Sequence, residues 1–360
     1  PSQADSDGDG LGDGCDNCAL ATNLGQGVNF FNQNDLRVPY NERWSLTVQH
    51  MFGDTMVEVG YVGTKGTRIL GNRDLNVLPG IFRSSSNSRN QANADFLAQQ
   101  FTNPFAGLIP GTGLNTSTIS RSQLLRPYPQ FTSVRLSQIN QGYSNYHGME
   151  AKLEKRLSGG HAFMVGYTYS KFNEAVQYLN SSDPFPFEVI ARADRPHNLK
   201  WRNTYEFPWG RTHPAGGWQI SSVWQLQSGF PMNFGDVFTT SGFSPDKLSI
   251  SNPTVDKWFN TEAGFVRDSS LAPEGSHLRT FPFRFSELRS AWINFWDVSI
   301  VKDTHIGDVH KIRFQAQFLN AFNQTSFSAA NTSPTSGSFG VVGSDAVWPR
   351  RGMISVKWIF

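Results

Sequence analysis

Apolar and polar side chains alternate with a period of two in segment after segment of this chain. In Trp44–Phe52 the even positions read Trp44, Leu46, Val48, His50 and Phe52, against Ser45, Thr47 and Gln49. Val57, Val59 and Tyr61 bracket Glu58 and Gly60, and Met149, Ala151 and Leu153 face away from Glu150, Lys152 and Glu154. Phe163–Tyr169, Leu199–Tyr205, Trp218–Leu226, Trp296–Ile300, Ile312–Phe318 and Ile354–Phe360 repeat the pattern, which makes nine segments in all. A period of two is the signature of a strand with one apolar and one polar face.

The connections are polarised. Short links follow the first, third, fifth and seventh segments: Gly53-Asp54, Ser158–Gly160, Pro208–Gly217 and His305–His310. Long links follow the second, fourth, sixth and eighth: Lys65–Ser144, Asn173–Pro196, Phe230–Ala291 and Phe322–Trp348. Every short turn therefore falls at one end of the array and every long loop at the other. Strands that cross a bilayer pair all their amides with neighbours and turn alternate side chains to lipid and to the lumen. A soluble sandwich shows the same alternation with its apolar face inward. Long strands, sorted loop lengths and aromatic residues near strand ends (Trp44, Phe52, Trp218, Trp296, Trp358 and Phe360) favour the membrane reading. The expected fold is all-β, an antiparallel transmembrane β-barrel segment of about nine strands with long extracellular loops.

Composition narrows the classes. Charged residues are 17% and aromatic residues 13%, and no run approaches the ~20 apolar residues of a membrane helix. A net charge of +2 offers no electrostatic case for nucleic acid. No nucleophile motif accompanies Asp194 and His197, so a structural role at a strand entrance is expected for both and no enzyme is expected. The first residues, Pro1–Gly10, do not form a signal peptide, so an exported protein would carry its leader further upstream.

Several strings resemble the barrel of TonB-dependent outer-membrane receptors, in particular the Oar-like group with a carboxypeptidase-regulatory-like N-terminal domain. They are Pro39–Leu46 (PYNERWSL), Val57–Gly66 (VEVGYVGTKG), Arg126–Phe131 (RPYPQF), Asp194–His197 (DRPH), Phe318–Asn323 (FLNAFN) and the terminal strand ending in Phe360. The resemblance covers residues 19–360 and implies the C-terminal part of a 22-stranded barrel that takes a scarce ligand across the outer membrane. It places outer-membrane lipid around the wall and the long loops outside the cell, and nine crossings ending at a periplasmic Phe360 then put residues 1–42 outside as well. No plug and no partner-binding box is visible, so a periplasmic energy-coupling partner follows only from a plug upstream. The ligand is not legible.

Residues 1–18 differ in texture from the rest. They are acidic, rich in Gly, and resemble a thrombospondin type 3 repeat. Asp5, Asp7 and Asp9 stand at positions 1, 3 and 5 of a loop, with Gly10 at 6, Leu11 offering a carbonyl at 7, Asp13 at 9 and Asp16 at 12. That spacing can wrap one calcium ion. The alternative is an acidic linker in which Asp-Gly pairs merely make turns. Cys15 and Cys18 lack the two further ligands zinc needs and are disulfide candidates, within the pair or to a neighbouring repeat. Interleaved aspartates also rule Gly8–Gly14 out as a phosphate loop. A calcium-binding surface protein acting in adhesion is accordingly the alternative to transport. Calorimetry on a Pro1–Cys18 peptide should show calcium uptake at millimolar affinity or tighter, lost in the Asp5→Ala/Asp9→Ala version. No heat from either peptide at roughly 10 mM calcium would leave the linker reading standing.

Overall fold

The computed structural model describes residues 23–33, 36–210, 213, 216–307 and 309–360. The acidic head, with Asp5, Asp7, Asp9, Leu11, Asp13, Asp16, Cys15 and Cys18, lies outside them. Nine long strands pair in chain order as an antiparallel meander. They are β1 (Tyr40–Phe52), β2 (Thr55–Asp74), β3 (Ser133–Ser158), β4 (His161–Ala175) and β5 (His197–Glu206). The rest are β6 (Trp218–Gln227), β7 (Ile293–Ile306), β8 (His310–Leu319) and β9 (Arg351–Ile359). The sheet is open, with β1 and β9 at its two edges. Two short segments join it, Gly27–Phe31 beside β3 in parallel and Val189–Ile190 beside β4.

Register carries one parity across the whole array. His50 lies opposite Val57, Val57 opposite Leu153, Leu153 opposite Val165 and Val165 opposite Trp201. The row continues through Trp224 and Trp296. Directly opposed residues share a face, so the apolar positions of all strands form one surface. Near the other edge Ile300, Ala316 and Ile354 repeat the match. The opposite face is polar, with Glu58, Lys152, Gly166, Lys200 and Gln225 in one row. Arg313 grips Asp303 there through two nitrogens at 2.7 Å each.

Turn chemistry explains the tight end. Gly159 and Gly160 both take positive φ (58° and 79°), the demand of a two-residue type I′ hairpin. Gly53 takes φ 62° before Asp54, the pattern of a II′ turn. The other two links at this end span 207–217 and 307–309.

The opposite end departs from the sequence reading. β2 has 20 residues and β3 has 26, where about 9–11 suffice to cross a bilayer. The first long loop is therefore 75–132, and Lys65–Asp74 and Ser133–Ser144 are an extended hairpin rising beyond the lipid. Register slips three times between Thr67 and Arg73, and Arg68 and Gln138 adopt positive φ. Each bulge reverses the facing of the residues beyond it, so the simple alternation is lost although the strand continues. The remaining long links are 176–196, 228–292 and 320–350. Trp296 sits near the loop end of β7, where its carbonyl accepts from the Ala321 N–H of loop 320–350. It stacks on Trp224 at 5.1 Å and meets Trp201 edge-on at 5.2 Å within the sheet, while Trp218, Trp358 and Phe52 lie near the short-turn end.

Among the described residues no helix is long and apolar enough to cross a membrane, so any crossing is made by strands. Arginine introduced at Phe314 or Val356, on the apolar parity, should lower barrel stability by about 2–4 kcal/mol where the site lies at the bilayer midplane. Arginine at Gln315 or Ser355, the opposed pair on the polar parity, should be tolerated far better. Unfolding titrations of the full-length protein in lipid vesicles would measure both, and equal damage at both parities would contradict a lipid-facing wall.

Candidate functional site

The long loops carry the principal hydrophobic core of the described residues. Met232, Phe234, Leu248 and Phe259 are fully buried, and Phe265, Phe281 and Phe339 pack with them. These residues come from loops 228–292 and 320–350, which therefore fold on each other as a cap. Phe234 is its hub, stacked on Phe265 at 5.7 Å and edge-on to Phe281 at 5.4 Å. Aromatic pairs in such geometry add to plain area burial.

Arginines tie the cap together. The Arg279 guanidinium donates to the carbonyls of Phe234, Phe281 and Pro282 and lies 4.3 Å over the Phe283 ring. Burial pushes its pKa down, and the nearby Asp236 carboxylate acts in the opposite direction. Its backbone N–H donates to Asn180, which returns a bond to the Arg279 carbonyl. Arg83 donates to Ser182 and to the His277 carbonyl, so loops 75–132, 176–196 and 228–292 are cross-linked. The buried His277 ring bridges Asp236 (2.6 Å) and the Ser86 carbonyl (3.1 Å).

The strings singled out in the sequence act as anchors, two of them between loops and wall and one within loop 75–132. In Asp194–His197, Asp194 accepts from the Phe172 N–H at 2.7 Å and pairs with Arg289 at 2.7 Å. Arg195 donates to the Ser228 carbonyl. His197 turns to the apolar face, where its Nδ1 meets the Tyr167 hydroxyl at 2.8 Å and its ring stacks on Trp292. Asp194 and His197 thus have separate partners and do not form an acid–base couple. In Arg126–Phe131, the carbonyls of Tyr128 and Phe131 accept from the fully buried Asn76 amide, whose oxygen receives the Tyr128 N–H. In Phe318–Asn323, Asn320 and Asn323 both adopt positive φ, and Asn320 binds the Gln324 and Trp348 carbonyls while its N–H reaches Asp297.

Arg279, Arg284, Arg289 and Asn180 are the residues that sequence reasoning passes over. Their partners are 94 to 110 positions distant in several bonds, for example Arg284 to the Ile190 carbonyl and to Glu174, so no local spacing announces them. On the wall, Gly166 opens a notch in the polar face lined by Glu150, Thr168, Asn198, Lys200 and Arg202. The surface combines charged hydrogen-bonding groups with a shaped cap, which suits recognition of a polar solute.

The family described as outer membrane beta barrel domain matches residues 10–352. No curated protein sequence matches the chain. Among solved structures it is similar to the outer membrane transporter YddB from Escherichia coli, at 11% identity and TM-score 0.45, covering 93% of this chain and 34% of that one. It is also similar to the FrpB iron transporter from Neisseria meningitidis (12%, TM-score 0.42, 92% and 33%). A further likeness is to the pyoverdine outer membrane receptor FpvA from Pseudomonas aeruginosa (10%, TM-score 0.42, 90% and 30%). The chain spans about a third of the length of these structures.

Asp194→Ala should strip Arg289 of its carboxylate and leave the Phe172 N–H unmet. Breaking a buried pair from one side costs about 3–5 kcal/mol. Thermal unfolding and limited proteolysis of the full-length protein should show lower stability and new cuts in 176–196 and 228–292. Unchanged cutting would mean that the ion pair does not anchor the cap.

Proposed function

The chain belongs to the outer membrane beta barrel domain family, and on that premise we propose that it is the barrel portion of a TonB-dependent receptor-like transporter that takes up a scarce ligand. Its place is the bacterial outer membrane. The observation that carries the reading is the sorting of the meander. Short links, two of them two-residue glycine turns, close one end, while interlocked loops build a cap over the other. A polar, charged face runs between the two ends on the side away from the apolar surface. Such an arrangement serves a wall that lines a solute path and recognises the solute at its mouth. The strings matching the Oar-like group support the finer assignment. Among them are segments that pin loops to wall, as Asp194 and Asn320 do, or close a loop on itself, as Tyr128 and Phe131 do on Asn76.

In this reading the short turns are periplasmic and the cap is extracellular. The acidic head, at the start of a nine-strand array ending at a periplasmic Phe360, then lies outside the cell. Calcium is available there, and Cys15 and Cys18 meet an oxidising environment. A periplasmic energy-coupling partner belongs to the proposal only together with a plug upstream.

Whole cells producing the full-length protein test both parts. External protease should cut within 75–132, 228–292 or 320–350 and spare Gly53-Asp54; cleavage confined to the short turns would invert the topology. Spent medium should lose at least one solute relative to cells lacking the protein, and a protonophore should abolish that loss. Identical media would sink the transport reading while leaving the topology intact.

A further inference from the structure

Two copies of one side-chain arrangement occupy the apolar face near the loop end. In the first, the Tyr61 hydroxyl meets His147 Nδ1 at 2.7 Å, their rings stack at 6.3 Å and 24°, and the Trp44 indole meets the His147 ring edge-on at 6.4 Å. In the second, the Tyr167 hydroxyl meets His197 Nδ1 at 2.8 Å, the rings stack at 6.2 Å and 21°, and Trp292 stacks on His197 at 5.8 Å and 15°. Gly63 is part of the first, because a Cβ there would lie inside the Trp44 indole. A phenol that donates to Nδ1 fixes the tautomer in which Nε2 carries the hydrogen. In each copy the phenol occupies Nδ1, so Nε2 is the ring nitrogen left to meet a ligand from within the aromatic belt.

Charge surrounds the first copy. His147 stands directly opposite Lys171 and one row below Asn145, which opposes Lys65. His147, Lys171 and Lys65 are all exposed. Two acids approach them. Glu42 opposes Lys65, while Glu188 accepts bonds from the Tyr143 hydroxyl and the Asn173 amide. Lysines and a histidine directly above an aromatic belt stand where headgroups meet hydrocarbon, and positive side chains there favour anionic lipid.

We propose that Lys65, His147 and Lys171 form a site for the phosphate of a lipid headgroup in the outer leaflet, with Trp44, Tyr61 and Tyr169 holding the acyl-chain boundary. The site rests on the proposed orientation of the barrel, cap outward and apolar face to lipid. It is distinct from the solute path, since these side chains occupy the face opposite Lys152 and Lys200.

Native mass spectrometry of the full-length protein in neutral-detergent micelles doped with diphosphorylated lipid A tests it. Wild-type protein should carry lipid adducts that dephosphorylated lipid A does not produce and that added inorganic phosphate does not displace. His147→Ala/Lys171→Ala should bind the phosphorylated lipid about tenfold more weakly or worse, in line with roughly 1 kcal/mol for each cation near an anionic surface. Lys200→Ala, on the polar face, should bind as wild type. Equal binding by wild type and the double variant at unchanged melting temperature overturns the site, and so does equal binding of dephosphorylated lipid. Displacement by inorganic phosphate would assign the residues to free phosphate and overturn the lipid proposal. Lys171→Cys labelling on whole cells by a membrane-impermeant maleimide checks the orientation separately: labelling supports it, and its absence overturns the orientation whatever the binding result.

Discussion

A backbone amide inside a bilayer has no water to turn to. Each N–H and C=O left unpaired there costs several kcal/mol, so strands survive in lipid only by bonding to other strands along their whole length. Much else in this chain derives from that pairing. Unbroken ladders from β1 to β9 force one parity on every strand, and the parity turns Val57, Trp201, Trp224 and Ile354 to one side and Glu58, Lys200 and Gln225 to the other. The same requirement bears on β1 and β9. Tyr40–Phe52 is exposed along its entire length, so a lipid-embedded wall needs a further strand against each edge.

The wall is legible in the sequence because it is the part under this constraint. Where lipid meets one face and water the other, residues such as Leu46, Thr47 and Val48 must alternate, and nine such runs correspond to nine strands. Above the membrane the constraint lapses. β2 and β3 continue there with bulges near Thr67, Ile69 and Gly71, and Arg68 and Gln138 take conformations that side chains usually avoid. Alternation disappears while pairing persists, and the sequence reads as loop. The parallel segment Gly27–Phe31 escapes detection for a related reason: five residues contribute too little pattern to be separated from their surroundings.

The cap is legible only through its anchors. Short strings such as Arg126–Phe131 and Asp194–His197 stand out through their resemblance to receptor barrels. Their bonding partners do not stand out. Asn76 reaches Tyr128 across 52 positions, and Arg83 reaches His277 across 194. A fold held by arginine-to-carbonyl bonds leaves no period, since a carbonyl is offered by every residue type. The phenylalanines of the cap are equally silent in sequence, because loop 228–292 packs most of them outside its one short strand pair, Pro231–Asn233 with Arg284–Arg289.

A wall and a cap with separate cores age differently under selection. The lipid face is coupled strand to strand, so a change at one position is felt by its neighbours on both sides. The cap packs around Phe234 and meets the wall at a few polar joints, chiefly Asp194 and Asn320. Its outward surface can change while those joints hold the scaffold in place. Variation among relatives should then concentrate between the joints and be scarce at them.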